Sequence, residues 1–178
     1  MEFMDVCGRE FRVLKLLGHG KGGYSYLVSD SEGMYVLKQI HHEPCTYYTF
    51  GDKIQSELRD YERLQSIGVP MPRMLAVDVE QERILKEYVE GDTIFDLVLR
   101  DEMKEDYIHQ MQSICQKLYA AHTNIDYFPT NLIVCDGKLV YVDYECNDYM
   151  EQWDFENWGI KYWSKTPEFM LYLQEHQG

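Results

Sequence analysis

The chain has 178 residues, 45% of them apolar and 14% aromatic, with 31 acidic against 17 basic side chains and a formal net charge of -14. That length allows one domain, or two small lobes sharing one cleft, and the apolar share supports a real core rather than a disordered segment. So large an acidic excess is repelled by nucleic acid and by anionic membrane surfaces, which argues against both as general partners. The five cysteines (Cys7, Cys45, Cys115, Cys135, Cys146) are scattered, with no C-x-x-C pair; they read as reduced thiols, not as a disulfide frame or a zinc site. Met1 to Arg9 has no signal-peptide run, and no apolar stretch approaches the ~20 residues of a membrane span. The expectation is a soluble, cytoplasmic domain.

In chain order, Phe11 to Leu17 and Tyr24 to Ser29 read as strands with a glycine run between them. Asp30-Ser31-Glu32-Gly33 is a turn signal, and Tyr35 to Ile40 a third strand. His41 to Gly51 looks irregular. From Asp52 the apolar spacing of Ile54, Leu58, Tyr61 and Leu64 predicts a helix, ended by Gly68 and Pro70. Arg73 to Val79 and Arg83 to Val89 complete a five-stranded antiparallel sheet. After Glu90-Gly91 the character changes. Thr93 to Leu99 is a short amphipathic segment, and Tyr107, Met111, Ile114, Cys115 and Leu118 mark a helix from about Lys104 to His122. Thr123 to Asn131 reads as a loop. Leu132 to Cys135 and Leu139 to Val142 form a hairpin on Asp136-Gly137. Trp153 to Trp163 and Pro167 to Leu173 read as two helices. The class is α+β, with a β-rich half over 1–90 and an α-rich half over 91–178.

The residues suited to chemistry follow the same order. Gly18, Gly20 and Gly23 sit between two strands, where bare backbone N–H groups can approach phosphate oxygens; a flexible hairpin turn is the competing reading. No helical pattern follows Gly23, which argues against a dinucleotide fold. Lys38 can bridge phosphates if a helix carboxylate holds it, with Glu57 the candidate and Glu62 the competitor. Otherwise the two are a surface lysine and a solvated glutamate. Asp126 and Asn131 lie in a loop entering an apolar strand. There an aspartate can accept a hydroxyl proton and an asparagine can offer oxygen to Mg²⁺, unless they are turn and capping residues. Asp143 ends the apolar run Leu139 to Val142, where a carboxylate has few uses except a cation, and Glu145 is a second metal ligand.

This layout resembles the protein-kinase-like superfamily over residues 11 to 160. Leu17 to Tyr24 is similar to its glycine-rich loop, Val36-Leu37-Lys38 to its strand lysine, and Glu57 to that lysine's partner. Lys86 to Gly91 resembles the hinge whose backbone, here at Glu87 and Val89, holds adenine. Asn124 to Asn131 sits where the catalytic loop would be, and Val142-Asp143-Tyr144-Glu145 at the metal-aspartate motif. Pro129, the Asp-x-Glu and the segment Trp153 to Trp158 resemble aminoglycoside and choline phosphotransferases, in which Asp154 would buttress the catalytic loop. The small size and Gly68-Val69-Pro70-Met71-Pro72 are more like the atypical RIO-type and KEOPS-associated protein kinases.

The resemblance implies a bilobal fold with a five-stranded N-lobe sheet, one helix and a reduced, mainly helical C-lobe. It implies ATP and Mg²⁺ as cofactors and a hydroxyl-bearing acceptor: a protein serine/threonine first, a small molecule close behind. Asp126, Lys38 and Asn131 are then catalytic. Gly18, Gly20, Gly23, Lys38, Glu57, Glu87 and Val89 hold the nucleotide, and Asn131, Asp143 and Glu145 the metal. Asn124 and Ile125 depart from the usual histidine and arginine, Lys86 stands at a normally apolar position beside adenine, and no A-P-E follows Asp154. With so little chain after Asp143, a peptide acceptor needs a platform from a protein partner. A pseudokinase that binds nucleotide without turnover is the rival reading.

Overall fold

The computed structural model describes residues 2–20, 23–41 and 52–176. Lys21, Gly22, Cys45 and all but the first residue of the irregular stretch His41 to Gly51 lie outside them. The chain divides into two compact units: Met1–Arg59 with Pro72–Tyr88, and Asp60–Met71 with Val89–Gly178.

The first unit is an antiparallel sheet. Its strands are β1 (Phe3–Val6), β2 (Arg9–His19), β3 (Gly23–Asp30), β4 (Gly33–Ile40), β5 (Met74–Asp78) and β6 (Arg83–Glu87). They lie in the order β1-β2-β3-β4-β6-β5, so the sheet has six strands where the sequence predicts five. The additional strand is β1. Its turn to β2 is Cys7-Gly8, both at positive φ (51 and 82), the geometry of a tight hairpin but without the usual Asn-Gly or Asp-Gly signature. The Cys7 N–H donates to the Asp78 carboxylate at 2.9 Å, which fixes this unusual turn. Asp30 closes the β3–β4 turn by accepting the Glu32 and Gly33 N–H groups. Alternation along the strands then sends Val6, Phe11, Val28, Leu37 and Leu85 into one buried cluster. Ile40 and Ile84 meet Ile54 in another. Ile54 and Leu58 come from helix α1 (Asp52–Ile67), whose first half belongs to this unit.

The second unit takes the rest of α1 and then runs through β7 (Asp92–Thr93), α2 (Ile94–Leu99), α3 (Glu105–Ala120), β8 (Thr123–Ile125), β9 (Leu132–Cys135), β10 (Lys138–Tyr141), β11 (Cys146–Asp148) and α4 (Pro167–Glu175). β10, β9 and β7 form one small sheet, and β11 pairs with β8 in another. The β9–β10 hairpin turns on Asp136-Gly137, both at positive φ, as the dipeptide predicts. Met111, Leu118, Tyr127, Leu132, Tyr141, Phe155, Trp163 and Phe169 are fully or almost fully buried in its core. Among the described residues no helix is long and apolar enough to cross a membrane.

Two expectations need correction here. The stretch Thr123 to Asn131 begins with a strand, β8, too short to show a period. Trp153 to Trp163 is not a helix but two 3-10 turns, Glu151–Trp153 and Gly159–Tyr162. The reason is Asp154, whose carboxylate takes the Asn157 N–H at 2.8 Å and the Tyr149 hydroxyl at 2.7 Å. An aspartate satisfied in this way offers the backbone an alternative to the helical ladder.

Gly91 shows how closely the second unit is packed. A Cβ there would lie 2.1 Å from the Val134 carbonyl oxygen, and its φ is +155. Gly91→Ala therefore lowers stability by roughly 3 kcal/mol, the upper end of overpacking. Thermal melting beside Glu90→Ala, an exposed neighbour, checks this: equal melting temperatures would refute the close approach.

Candidate active site

In the first unit, β4 carries Lys38 between β3 and β6, paired in register with Ser25 and Ile84. Its ammonium forms an ion pair with Glu57, which lies in the first unit's share of α1. Both side chains are only 16% exposed, so neither is a solvated surface charge, and each is costly to leave without the other. Glu62 is exposed.

The glycine turn joins β2 to β3. The Gly20 N–H donates to the Gly23 carbonyl at 3.0 Å, and His41 Nε2 donates to the Gly20 carbonyl at 2.9 Å. His19 stacks on Tyr24 with ring centroids 4.2 Å apart. The three glycines differ. A Cβ on Gly23 would lie 2.2 Å from the Gln39 carbonyl, so glycine is required there by the fold. At Gly18 and Gly20 a side chain would meet open space, so packing does not ask for glycine there.

β6 ends at Glu87, whose carboxylate accepts the Arg73 N–H at 2.6 Å. Residues 88–90 lie outside the ladders, so Val89 contributes no strand pairing. Lys86, one residue before, is 8% exposed.

In the second unit, β8 delivers Asp126, and β9 and β10 deliver Asn131 and Asp143. The Asp126 carboxylate accepts the Phe128 N–H at 3.1 Å. Asn131 Nδ2 donates to the Asp126 carbonyl at 3.4 Å, and the Val142 N–H donates to the Asn131 carbonyl at 2.9 Å. Asp143 in turn accepts the Glu145 N–H at 3.2 Å. Backbone and side chain thus bring Asp126, Asn131, Asp143 and Glu145 into one connected group.

Two residues that hold this group are not evident as such in the sequence. Tyr141 is fully buried; its hydroxyl receives the Asp126 N–H at 3.2 Å and donates to the Glu145 carbonyl at 2.7 Å. Burial and the nearby Asp143 carboxylate push its ionisation well above the ordinary tyrosine range, so it remains a donor. The only signal was a tyrosine inside an otherwise aliphatic strand. Asn124, read as a departure from histidine, is a brace: its amide donates to the Met150 carbonyl at 3.0 Å and accepts the Tyr127 hydroxyl at 3.2 Å. Asp154 is buried and, among the described residues, bonds Tyr149 and Asn157 rather than 126–131.

The donor set suits a hard cation. Because Asn131 spends an amide N–H on the Asp126 carbonyl, its Oδ1 is the side-chain atom that could accept a cation, and Asp143 and Glu145 could add only oxygen. Among the described residues no group of three or more His, Cys, Asp or Glu side chains could hold a metal ion. Two carboxylates and an amide oxygen are a donor set that Mg²⁺ could use with phosphate and water completing its shell.

No protein-family model matches the chain. It is similar to the serine/threonine-protein kinase PknA of Nostoc sp., with 28% identity over 157 residues, covering 79% of this chain. The chain spans 28% of that protein's length.

Proposed function

We propose that this chain is an ATP- and Mg²⁺-dependent phosphotransferase that acts on a hydroxyl, in the manner of a minimal, atypical serine/threonine protein kinase. The observation that carries the reading is the part-buried Lys38–Glu57 ion pair. A lysine held by a helix carboxylate beside a glycine turn is suited to the α- and β-phosphates. The similarity to a serine/threonine-protein kinase of Nostoc supports the same chemistry and a protein acceptor.

In this reading the bilobal organisation divides near residue 90. The backbone at Gly18, Gly20 and Gly23 covers the triphosphate, and that at Glu87 and Val89 holds adenine. Asp126 takes the proton from the acceptor hydroxyl as its oxygen bonds to the γ-phosphorus and the bond to the β–γ bridging oxygen breaks, releasing ADP. Asn131, Asp143 and Glu145 would hold the metal, which when bound would supply positive charge to offset that of the phosphates. Everything else the chain does is positioning, which is where most of the acceleration in this chemistry arises. A peptide acceptor would dock on a platform given by a protein partner in the cytoplasm, whereas a small-molecule hydroxyl would need none.

The test is incubation with Mg²⁺ and γ-labelled ATP beside Asp143→Ala, following phosphate release and self-labelling. Slow turnover that the variant loses is expected. An Asp143→Ala protein that binds Mg·ATP as tightly as the parent and turns it over at the same rate would overturn the assignment.

A further inference from the structure

Lys86 is a buried cation that the proposed mechanism leaves unused. The register fixes where it lies. Lys38 pairs with Ser25 and Ile84, and two residues further from the glycine turn Val36 pairs with Leu27 and Lys86. Directly paired residues share a sheet face, as do residues two apart on a strand. Lys38, Val36, Leu27 and Lys86 therefore all project from one face. Leu27, Val36 and Lys86 are each more than nine-tenths buried.

Along this face the chemistry changes in order. The glycine turn comes first, at the level of Gly23 and Ile40, and then Lys38 with Glu57. Roughly 6–7 Å on lies the row Leu27–Val36–Lys86, given the rise of a strand. A nucleotide whose phosphates sit at the turn and at Lys38 brings its base to that row. Leu27 and Val36 offer the flat apolar floor that a base face needs, and Lys86, one strand over, meets the base edge.

An ammonium can only donate, and its several N–H groups leave room for a ligand oxygen beside any partner the fold supplies. Guanine presents the O6 and N7 acceptors side by side, whereas adenine offers N7 next to the N6 amino donor. A buried donor facing a donor leaves both without an acceptor, which costs affinity. We infer that Lys86 is a base-specificity residue that makes guanosine triphosphate a nucleotide of this site alongside ATP. This rests on the phosphotransferase reading, in that it takes Lys38 as the phosphate cation.

The test is calorimetric titration of the full chain with Mg·GTP and Mg·ATP, beside Lys86→Met and Lys86→Gln. The parent protein is expected to bind GTP at least as tightly as ATP. Lys86→Met, similar in shape but without the donor, should shift the ratio of the two affinities toward ATP by about ten-fold or more, the scale of one good base contact. Lys86→Gln, whose amide oxygen can accept from the adenine amino group, should shift it the same way and serves if the methionine variant does not fold. Binding of both nucleotides at a ratio unchanged by either substitution, or a parent protein that binds GTP more than about ten-fold more weakly than ATP, overturns the role of Lys86 and leaves the phosphotransferase reading standing. Binding of neither nucleotide overturns both.

Discussion

Asp126→Asn is expected to lower the rate of phosphoryl transfer by about 10²–10⁴, the range contributed by a positioned general base, while Mg·ATP binds as before. The substitution preserves shape. The amide oxygen can still accept the Phe128 N–H that the carboxylate now takes at 3.1 Å. The backbone N–H that donates to Tyr141 and the carbonyl that receives Asn131 are untouched. Loss of activity can then be assigned to the missing proton acceptor and not to a collapsed loop. Single-turnover transfer from labelled ATP, with nucleotide affinity measured in parallel, separates the two. Full transfer in the variant would show that Asp126 is not the proton acceptor, whereas no transfer by parent or variant, with Asp143→Ala abolishing nucleotide binding, would favour the pseudokinase reading.

The second large effect is structural. Trp163→Ala should destabilise the second unit by about 3–5 kcal/mol, as deletions of large buried aromatics do. Trp163 is 1% exposed, meets Phe155 edge-on at 5.1 Å, and donates its indole N–H to the Tyr127 carbonyl at 2.8 Å. Truncation empties a ring-sized space and leaves that buried carbonyl without its donor. Tyr127 lies next to Asp126, so the loss reaches the candidate catalytic loop. In a unit of this size the melting temperature should fall by roughly 10–30 °C. Trp163→Phe keeps most of the volume and should fall much less. Circular dichroism melts decide, and a Trp163→Ala protein melting with the parent would show that this ring does not close the core.

What was legible in the sequence were features with a local signature. The Asp136-Gly137 hairpin, the α1 stripe of Ile54 and Leu58, and the apolar face of α3 each follow from spacing and turn chemistry alone. β1 was not, because Cys7-Gly8 adopts its positive φ values with help from Asp78, some 70 residues away in the chain. The Trp153 to Trp163 segment misled because its aromatic spacing imitates a helix while the Asp154 side chain draws the backbone hydrogen bonds elsewhere. At the candidate site, charged residues in motif order were readable, and the Lys38–Glu57 pair forms between the two named partners. The residues that orient them were not. Tyr141 looks like packing and Asn124 like a defect until the long-range hydrogen bonds of each are seen.

All three tryptophans, Trp153, Trp158 and Trp163, belong to the second unit, and none to the six-stranded sheet. Light absorbed at the red edge of the ultraviolet band therefore excites one half of the chain and leaves the other dark. Indole emission becomes an optical tag built into the native protein, reporting on the unit that holds Asp126 and Asp143, while the sheet that holds Lys38 can be followed only through its tyrosines or its backbone signal.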